Sequence, residues 1–116
     1  MGLLGGLFKK AKHKGYFEIE ISSISRLTNN AVKVAFDIPE KLSEKFNYAP
    51  GQYINILAEI GGKEERRSYS ICSAKDEKLA IGIKSVKNGI VSNWFNLEAQ
   101  EGTKLFISEP QGNFKI

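Results

Sequence analysis

Arg66-Arg67-Ser68-Tyr69-Ser70-Ile71 decides how this chain is read. The run has the composition of a strand, yet two adjacent arginines and two serines sit on it. Alternation places Arg67, Tyr69 and Ile71 on one face and Arg66, Ser68 and Ser70 on the other. A purely internal strand would not set Arg and Tyr beside Ile, and a purely solvated one would not carry Tyr and Ile together. The pattern suits a large planar ligand with an anionic tail. Tyr offers a flat face, Arg a fixed cationic fork, and Ser a hydroxyl that donates or accepts. The alternative is a half-buried barrel strand whose arginine snorkels to the rim.

Working outward, alternating runs recur on both sides. Tyr16–Arg26 carries Phe17, Ile19 and Ile21 opposite Glu18, Glu20 and Ser22. After Thr28-Asn29-Asn30, a turn by composition, Ala31–Ile38 alternates again and Pro39 ends it. Glu40–Phe46 reads as one helical turn or a loop. Pro50-Gly51-Gln52 turns the chain into the strand Tyr53–Ile60, and Gly61-Gly62 makes a hairpin with Lys63–Ile71. Lys75–Lys78 is a turn before the strand Leu79–Val86. Lys87-Asn88-Gly89 breaks that strand, and Ile90–Leu97 reads as a helix of about two turns. Thr103–Ser108 is the last strand, stopped by Glu109-Pro110-Gln111-Gly112. No crossover helix is long enough for parallel βαβ units. The expected fold is all-β: a six-stranded antiparallel Greek-key barrel with one short helix before the last strand.

A second motif precedes that helix. Gly89-Ile90-Val91-Ser92 stands at its start, where unpaired amides and the helix dipole favour an anion. Glycine lets a backbone come close, and Ser92 adds a hydroxyl. A plain N-cap serine is the alternative. Together with Arg67, the helix start describes a clamp on a pyrophosphate, with Tyr69 supporting a ring system farther along.

Size and composition narrow the remaining choices. The chain has 116 residues, a size suited to one domain. Its formal charge of +4 is uneven: Lys9, Lys10, Lys12 and Lys14 lie in residues 1–15 with no acid. With those four set aside, 13 basic residues face 13 acidic ones. The neutral body argues against the rival function, a non-catalytic barrel binding single-stranded nucleic acid or another polyanion. One cysteine and one histidine exclude a disulfide and a four-ligand zinc site, and point to a reducing, cytoplasmic setting. No apolar run approaches the ~20 residues of a membrane span. Residues 1–15 place an apolar stretch before a basic one, the reverse of a secretory signal, and Gly6 stands where myristoylation wants Ser or Thr. A mobile basic leader is expected, rather than a membrane anchor. Cys72, Trp94 and Phe95 are expected to pack, and no paired carboxylates at defined spacing suggest acid–base chemistry.

The chain resembles the flavin-binding domain of the ferredoxin reductase family. The resemblance rests on Arg67-Ser68-Tyr69-Ser70, Gly89-Ile90-Val91-Ser92 following Ile83-Lys84-Ser85-Val86, Pro50-Gly51-Gln52-Tyr53, and Glu109-Pro110-Gln111-Gly112-Asn113-Phe114. It spans about residues 16–116 and is greatest to reductase components of the phenylacetyl-CoA oxygenase type, which act in phenylacetate catabolism. The resemblance implies FAD as cofactor. It implies that Arg67 meets the pyrophosphate, with Ser68 beside it in the motif, and that Tyr69 packs on the isoalloxazine. Ser70 would hydrogen-bond near flavin N5, the residue nearest the chemistry. Ile83, Lys84 and Val86 would line the ribose and adenine side, partly through backbone groups. Gly89, Ile90, Val91 and Ser92 would close on the pyrophosphate, and Phe114 would lie near the flavin or the domain junction. Tyr69 and Ser70 point to opposite faces of an ideal strand, so a twist, a bulge or edge-on placement of the ring is needed for both to meet one flavin. The implied partners are an NAD(P)-binding domain and an iron–sulfur domain or ferredoxin in the full-length protein. The chain shows no Gly-x-Gly-x-x-Gly fingerprint and no cysteine cluster, so a truncated flavin domain is expected, not efficient with NAD(P)H alone.

Overall fold

A computed structural model of the chain describes residues 14–112. The leader up to residue 13 and Phe114 lie outside the described residues. Six strands form: β1 (Tyr16–Thr28), β2 (Ala31–Asp37), β3 (Tyr53–Ile60), β4 (Lys63–Ser70), β5 (Ala80–Lys84) and β6 (Lys104–Ser108). Glu40–Leu42 is a single 3-10 turn, and Ile90–Leu97 is the one helix among the described residues, α1.

The sheet order is β4-β3-β6-β1-β2-β5, and these neighbours pair antiparallel. β6, last in sequence, is inserted between β3 and β1. That placement makes the Greek key. The sheet then curls until its two edges meet, at the bridge between Ile71 and Ile81 and the bond from Cys72 N to Ala80 O at 2.8 Å. Closure removes unpaired edges that would otherwise template aggregation. The expected barrel, with its helix before the last strand, is what forms.

One set of alternating side chains fills the interior. Ile19, Ile21, Val32, Val34, Phe36, Ile54, Ile56, Ile81, Ile83, Leu105 and Ile107 are buried there, with Val91 and Phe95 from α1. The Gly61-Gly62 hairpin needs glycine, since both take positive φ of 59° and 81°.

β1 changes phase partway along. Ile21 faces Phe36 and Ser23 faces Ala35, so Ser22 is an extra residue, a bulge. The first half of the strand pairs with β6 and the second with β2. After the bulge Ile24 stands opposite Val34 and packs on the core, and Arg26 stands opposite Val32 but is exposed. The same switch lets one long strand serve both halves of the barrel.

Two local expectations are corrected. β5 is Ala80–Lys84, shorter than Leu79–Val86, because its partner β2 begins at Ala31, opposite Lys84; Ser85 N still donates to Asn30 O in the turn, at 2.6 Å. Cys72 is exposed, not packed.

Candidate flavin site

The barrel closes at Ile71 and Ile81 and splays beyond them. Moving away from that bridge, β4 runs back through Tyr69 to Arg67, and the chain runs on along β5 through Ile83 and past its end to Ser85. Each wall extends four residues, or about 13 Å at strand rise. Helix α1 packs against β5, β3 and β2 and touches β4 through Tyr69. The Tyr69 ring meets Phe95 of α1 edge to face at 6.2 Å and 87°. On the other wall, Asn96 Nδ2 donates to Ile83 O at 3.3 Å and Asn93 Nδ2 to Val86 O at 3.2 Å. Tyr69, two residues along β4 from Arg67, and helix α1 therefore share one seam of the barrel.

On the β4 wall, the Arg67 side chain is 46% exposed. Its guanidinium donates to Arg66 O at 2.7 Å and lies 3.6 Å from Glu65 Oε1. Arg66 points the other way and rests over the Tyr16 ring, 5.5 Å from its centroid. Ser68, also outward, donates to Asn55 Oδ1. Ser70 is exposed and paired with Tyr53. The β3–β4 register runs unbroken from Lys63 to Ser70, so no bulge brings Ser70 to the side of Tyr69.

Tyr69 is half-buried. Burial pushes its phenol above the ordinary tyrosine range, and the Arg67 charge opposes this with a smaller downward pull. The neutral phenol is thus the form the fold favours. Its contribution to stability is complete below the unfolded pKa, near ~10, and is lost as pH rises through the higher folded value. In a tyrosinate absorbance titration, one tyrosine is expected to ionise late, and that late component should vanish in Tyr69→Phe. A Tyr69→Phe profile identical to the parent would contradict this.

At the helix start, Gly89 has φ −81°, a value open to any residue. Space is what demands glycine: a Cβ there would stand 2.5 Å from Ser92 Oγ and 3.1 Å from Val86 O. The left-handed residue of the turn is Asn88, with φ 64°. Ser92 is not the N-cap; Gly89 is. The Ser92 hydroxyl accepts from Val86 N at 3.1 Å and reaches Gly89 O at 3.4 Å. It is committed to shaping the loop, which leaves the first-turn amides of Ile90, Val91 and Ser92 as the groups a helix start offers an anion. The side chains of Ile83 and Val91 are in the core at 1% exposure, so only their backbones face a ligand. Lys84 is exposed, as are Val86 at 58% and Ile90 at 50%. These two apolar side chains flank the helix start and suit a flat heterocycle.

Three motifs far apart in sequence meet at the other end of the seam. Tyr53 exchanges backbone bonds with Gln111, 2.9 and 2.8 Å. Gln52 O accepts from Ile71 N at 2.9 Å, and Gln52 Nε2 donates to Gly112 O at 3.0 Å. Pro50–Tyr53, Arg67–Ser70 and Glu109–Gly112 are thereby one constellation around Ser70. Gly112, with φ 110°, lies against Tyr53; a Cβ would touch its ring at 3.4 Å.

One anchor was not foreseen from sequence. Arg26 donates from Nη1 to Asn96 Oδ1 at 2.9 Å and from Nη2 to Asn96 O at 2.6 Å. Asn96 in turn donates to Ser92 O at 2.8 Å. A guanidinium at a helix C-terminus also complements the dipole. The signal was present in the three-residue step from Ile21 to Ile24, which breaks the two-residue period and brings Arg26, still exposed, within reach of α1. Arg26→Ala leaves the largely buried amide of Asn96 short of a donor and is expected to cost about 1–3 kcal/mol of stability, measured by chemical denaturation. A change below about 0.5 kcal/mol would mean that water replaces the arginine without loss.

The family model for the oxidoreductase FAD-binding domain matches residues 18–116, and the chain belongs to that family. Its cofactor is FAD, and the fold is that of the ferredoxin reductase-like flavin barrel. The chain is 29% identical over 100 residues to a subunit of the 1,2-phenylacetyl-CoA epoxidase of Escherichia coli (strain K12), covering 85% of this chain and 28% of that protein. It is 31% identical over 107 residues to the ferredoxin reductase component of 3-ketosteroid-9-alpha-monooxygenase of Mycobacterium tuberculosis (strain CDC 1551 / Oshkosh), covering 84% and 30%. A ferredoxin NADP+ reductase from Neisseria gonorrhoeae, solved with bound FAD and NADP, superposes with a TM-score of 0.73 at 20% identity, over 87% of this chain and 40% of that one. The chain thus spans less than a third of the curated relatives it matches here.

Proposed function

We propose that this domain carries FAD in a reductase that takes electrons from NAD(P)H and delivers them to an iron–sulfur centre, within the same protein or on a ferredoxin, for use by an oxygenase. FAD supplies the step from a two-electron hydride donor to one-electron acceptors. The relatives support this: one is a ferredoxin reductase component of a monooxygenase, another a component of an epoxidase. The NAD(P)-binding and iron–sulfur partners, a place in phenylacetate catabolism and a cytoplasmic setting belong to the same proposal. No helix among the described residues is long and apolar enough to cross a membrane.

The observation that carries the proposal is the shared seam. The strand bearing Arg67 touches α1 through Tyr69 and Phe95, and the loop from Val86 to Gly89 is fastened to the same helix by Ser92 and Asn93. Arg67 supplies the fixed cation for the pyrophosphate, and the amides of Ile90, Val91 and Ser92, behind the tight turn at Gly89, supply its other side. Tyr69 supports the isoalloxazine, with Ser68 and Ser70 as the hydroxyls of that strand and Ser70 nearest N5. Because β4 carries no bulge, strand twist or edge-on placement of the ring brings Ser70 to it. The backbone of Ile83, with Lys84 and Val86, lines the ribose and adenine side. Phe114 keeps its proposed place near the flavin. A bound adenine on Val86 and Ile90 would cover two of the most exposed apolar side chains among the described residues.

The test is direct. Purified protein mixed with FAD and desalted is expected to retain flavin absorption, with heat of binding in calorimetry. No retained absorption and no heat would overturn the assignment of these residues to FAD in this chain.

A further inference from the structure

The C-terminal end of α1 is tied to β1 by one side chain, and the tie runs back to the start of the helix. Arg26 stands 70 positions before Asn96 and spans two acceptors of that one residue, its carbonyl at 2.6 Å and its Oδ1 at 2.9 Å. The fork decides which way the Asn96 amide faces. With Oδ1 toward the arginine, Nδ2 is turned to the protein, where it donates to Ser92 O at 2.8 Å and to Ile83 O at 3.3 Å. The reverse orientation would set an NH2 group against the guanidinium and an oxygen against two carbonyl oxygens. Asn96 is 7% exposed, so water has little access to repair that mismatch. From Ser92 the bonds continue: its hydroxyl accepts from Val86 N at 3.1 Å, and Asn93 Nδ2 donates to Val86 O at 3.2 Å. One chain of hydrogen bonds thus leads from β1 through Asn96 to β5 and to the turn from which α1 starts.

The helix has few other means of holding its angle. It is eight residues long, with no side-chain N-cap, no acidic residue in its first turn and no basic one in its last. A tilt of about 10° about its C-terminal end moves the first-turn amides by about 2 Å, enough to break a hydrogen bond. We propose that Arg26 is a positioning residue for the flavin pyrophosphate. Acting through Asn96, it sets the angle at which the amides of Ile90, Val91 and Ser92 meet the phosphates. It grips the helix six positions from Ile90, about 9 Å away, and does not itself touch the cofactor. Arginine suits the task because its planar fork holds both acceptors at once, where an ammonium is a point donor. The proposal rests on the assignment of this helix start to FAD.

The test titrates FAD into the full chain and its variants by calorimetry, then records phosphorus NMR spectra at saturating FAD. Arg26→Ala is expected to weaken FAD at least about tenfold. Its bound pyrophosphate signals should move toward those of free FAD, while the visible spectrum of the isoalloxazine stays that of the parent. Asn96→Asp still accepts from Arg26 but cannot donate to Ser92 O or Ile83 O, and the same two changes are expected; it carries the test should Arg26→Ala fail to fold. Arg26→Lys should recover part of the affinity. Phe36→Leu, a core change remote from this network, should lower stability with FAD affinity and phosphorus signals unchanged. Affinity within about twofold of the parent in Arg26→Ala or Asn96→Asp, unmoved phosphorus signals, or an equal loss in Phe36→Leu would overturn the proposal. If Arg67→Ala loses affinity and Arg26→Ala does not, the positioning role alone fails. A parent chain that binds no FAD would remove the flavin assignment and this role with it.

Discussion

Phe95→Ala is expected to cost about 3–5 kcal/mol of folding stability, the largest loss foreseen from one side chain in α1. The ring is 1% exposed. It meets Tyr69 on one side at 6.2 Å and Trp94 on the other at 4.8 Å, both edge to face. Truncation therefore opens a cavity where the helix packs against the barrel and removes two aromatic contacts. For a domain of this size a urea m-value of about 1–2 kcal/mol/M converts the loss into a fall of about 2–4 M in the unfolding midpoint. Phe95→Leu keeps most of the volume and should cost less than about 1.5 kcal/mol. Phe36→Ala, equally buried but outside the aromatic contact, serves as a control. Both truncations should reduce stability, and only Phe95→Ala should return the Tyr69 ionisation toward the ordinary tyrosine range. A cost below about 1 kcal/mol would mean that α1 is held by its polar fastenings alone.

Arg67→Ala is expected to weaken FAD binding by about 1.5–3 kcal/mol, roughly ten- to a hundredfold, with little change in folding stability. The guanidinium is 46% exposed, and its partner in the fold is the carbonyl of the adjoining Arg66, with Glu65 at 3.6 Å. Such surface contacts contribute little to the fold, which leaves the fork available for a phosphate. Arg67→Lys should recover part of the loss, since an ammonium keeps the charge but not the planar fork. Lys10→Ala, four positions before Lys14 in the basic leader, should leave flavin affinity unchanged. Equal losses for Arg67→Ala and Lys10→Ala in calorimetric titrations would mean that general positive charge, not the seam, holds the cofactor.

Much of the candidate site's layout was legible because its parts are local. Arg67 and Tyr69 share a strand face by simple alternation. The helix Ile90–Leu97 was marked by a strand break at Lys87-Asn88-Gly89 and an apolar run. The roles within the second motif were less legible. Gly89 is demanded by the hydroxyl of Ser92, three residues on, and not by backbone dihedrals. Ser92 spends that hydroxyl on Val86. Both facts depend on how the loop folds over the helix, and composition is silent on that. Arg26 was not singled out because the bulge at Ser22 was not counted.

Period, turn glycines and charge placement determined the elements, the antiparallel class and the separation of a basic leader from a neutral body. These depend on neighbours within a few positions, where sterics and burial act residue by residue. Only the tertiary structure decided that β6 inserts between β3 and β1, that Ile71 meets Ile81 to close the barrel, and that Pro50–Tyr53, Arg67–Ser70 and Glu109–Gly112 converge. Those pairings join segments up to about ninety positions apart. They are selected by the collective burial of one core, so no single stretch of sequence encodes them.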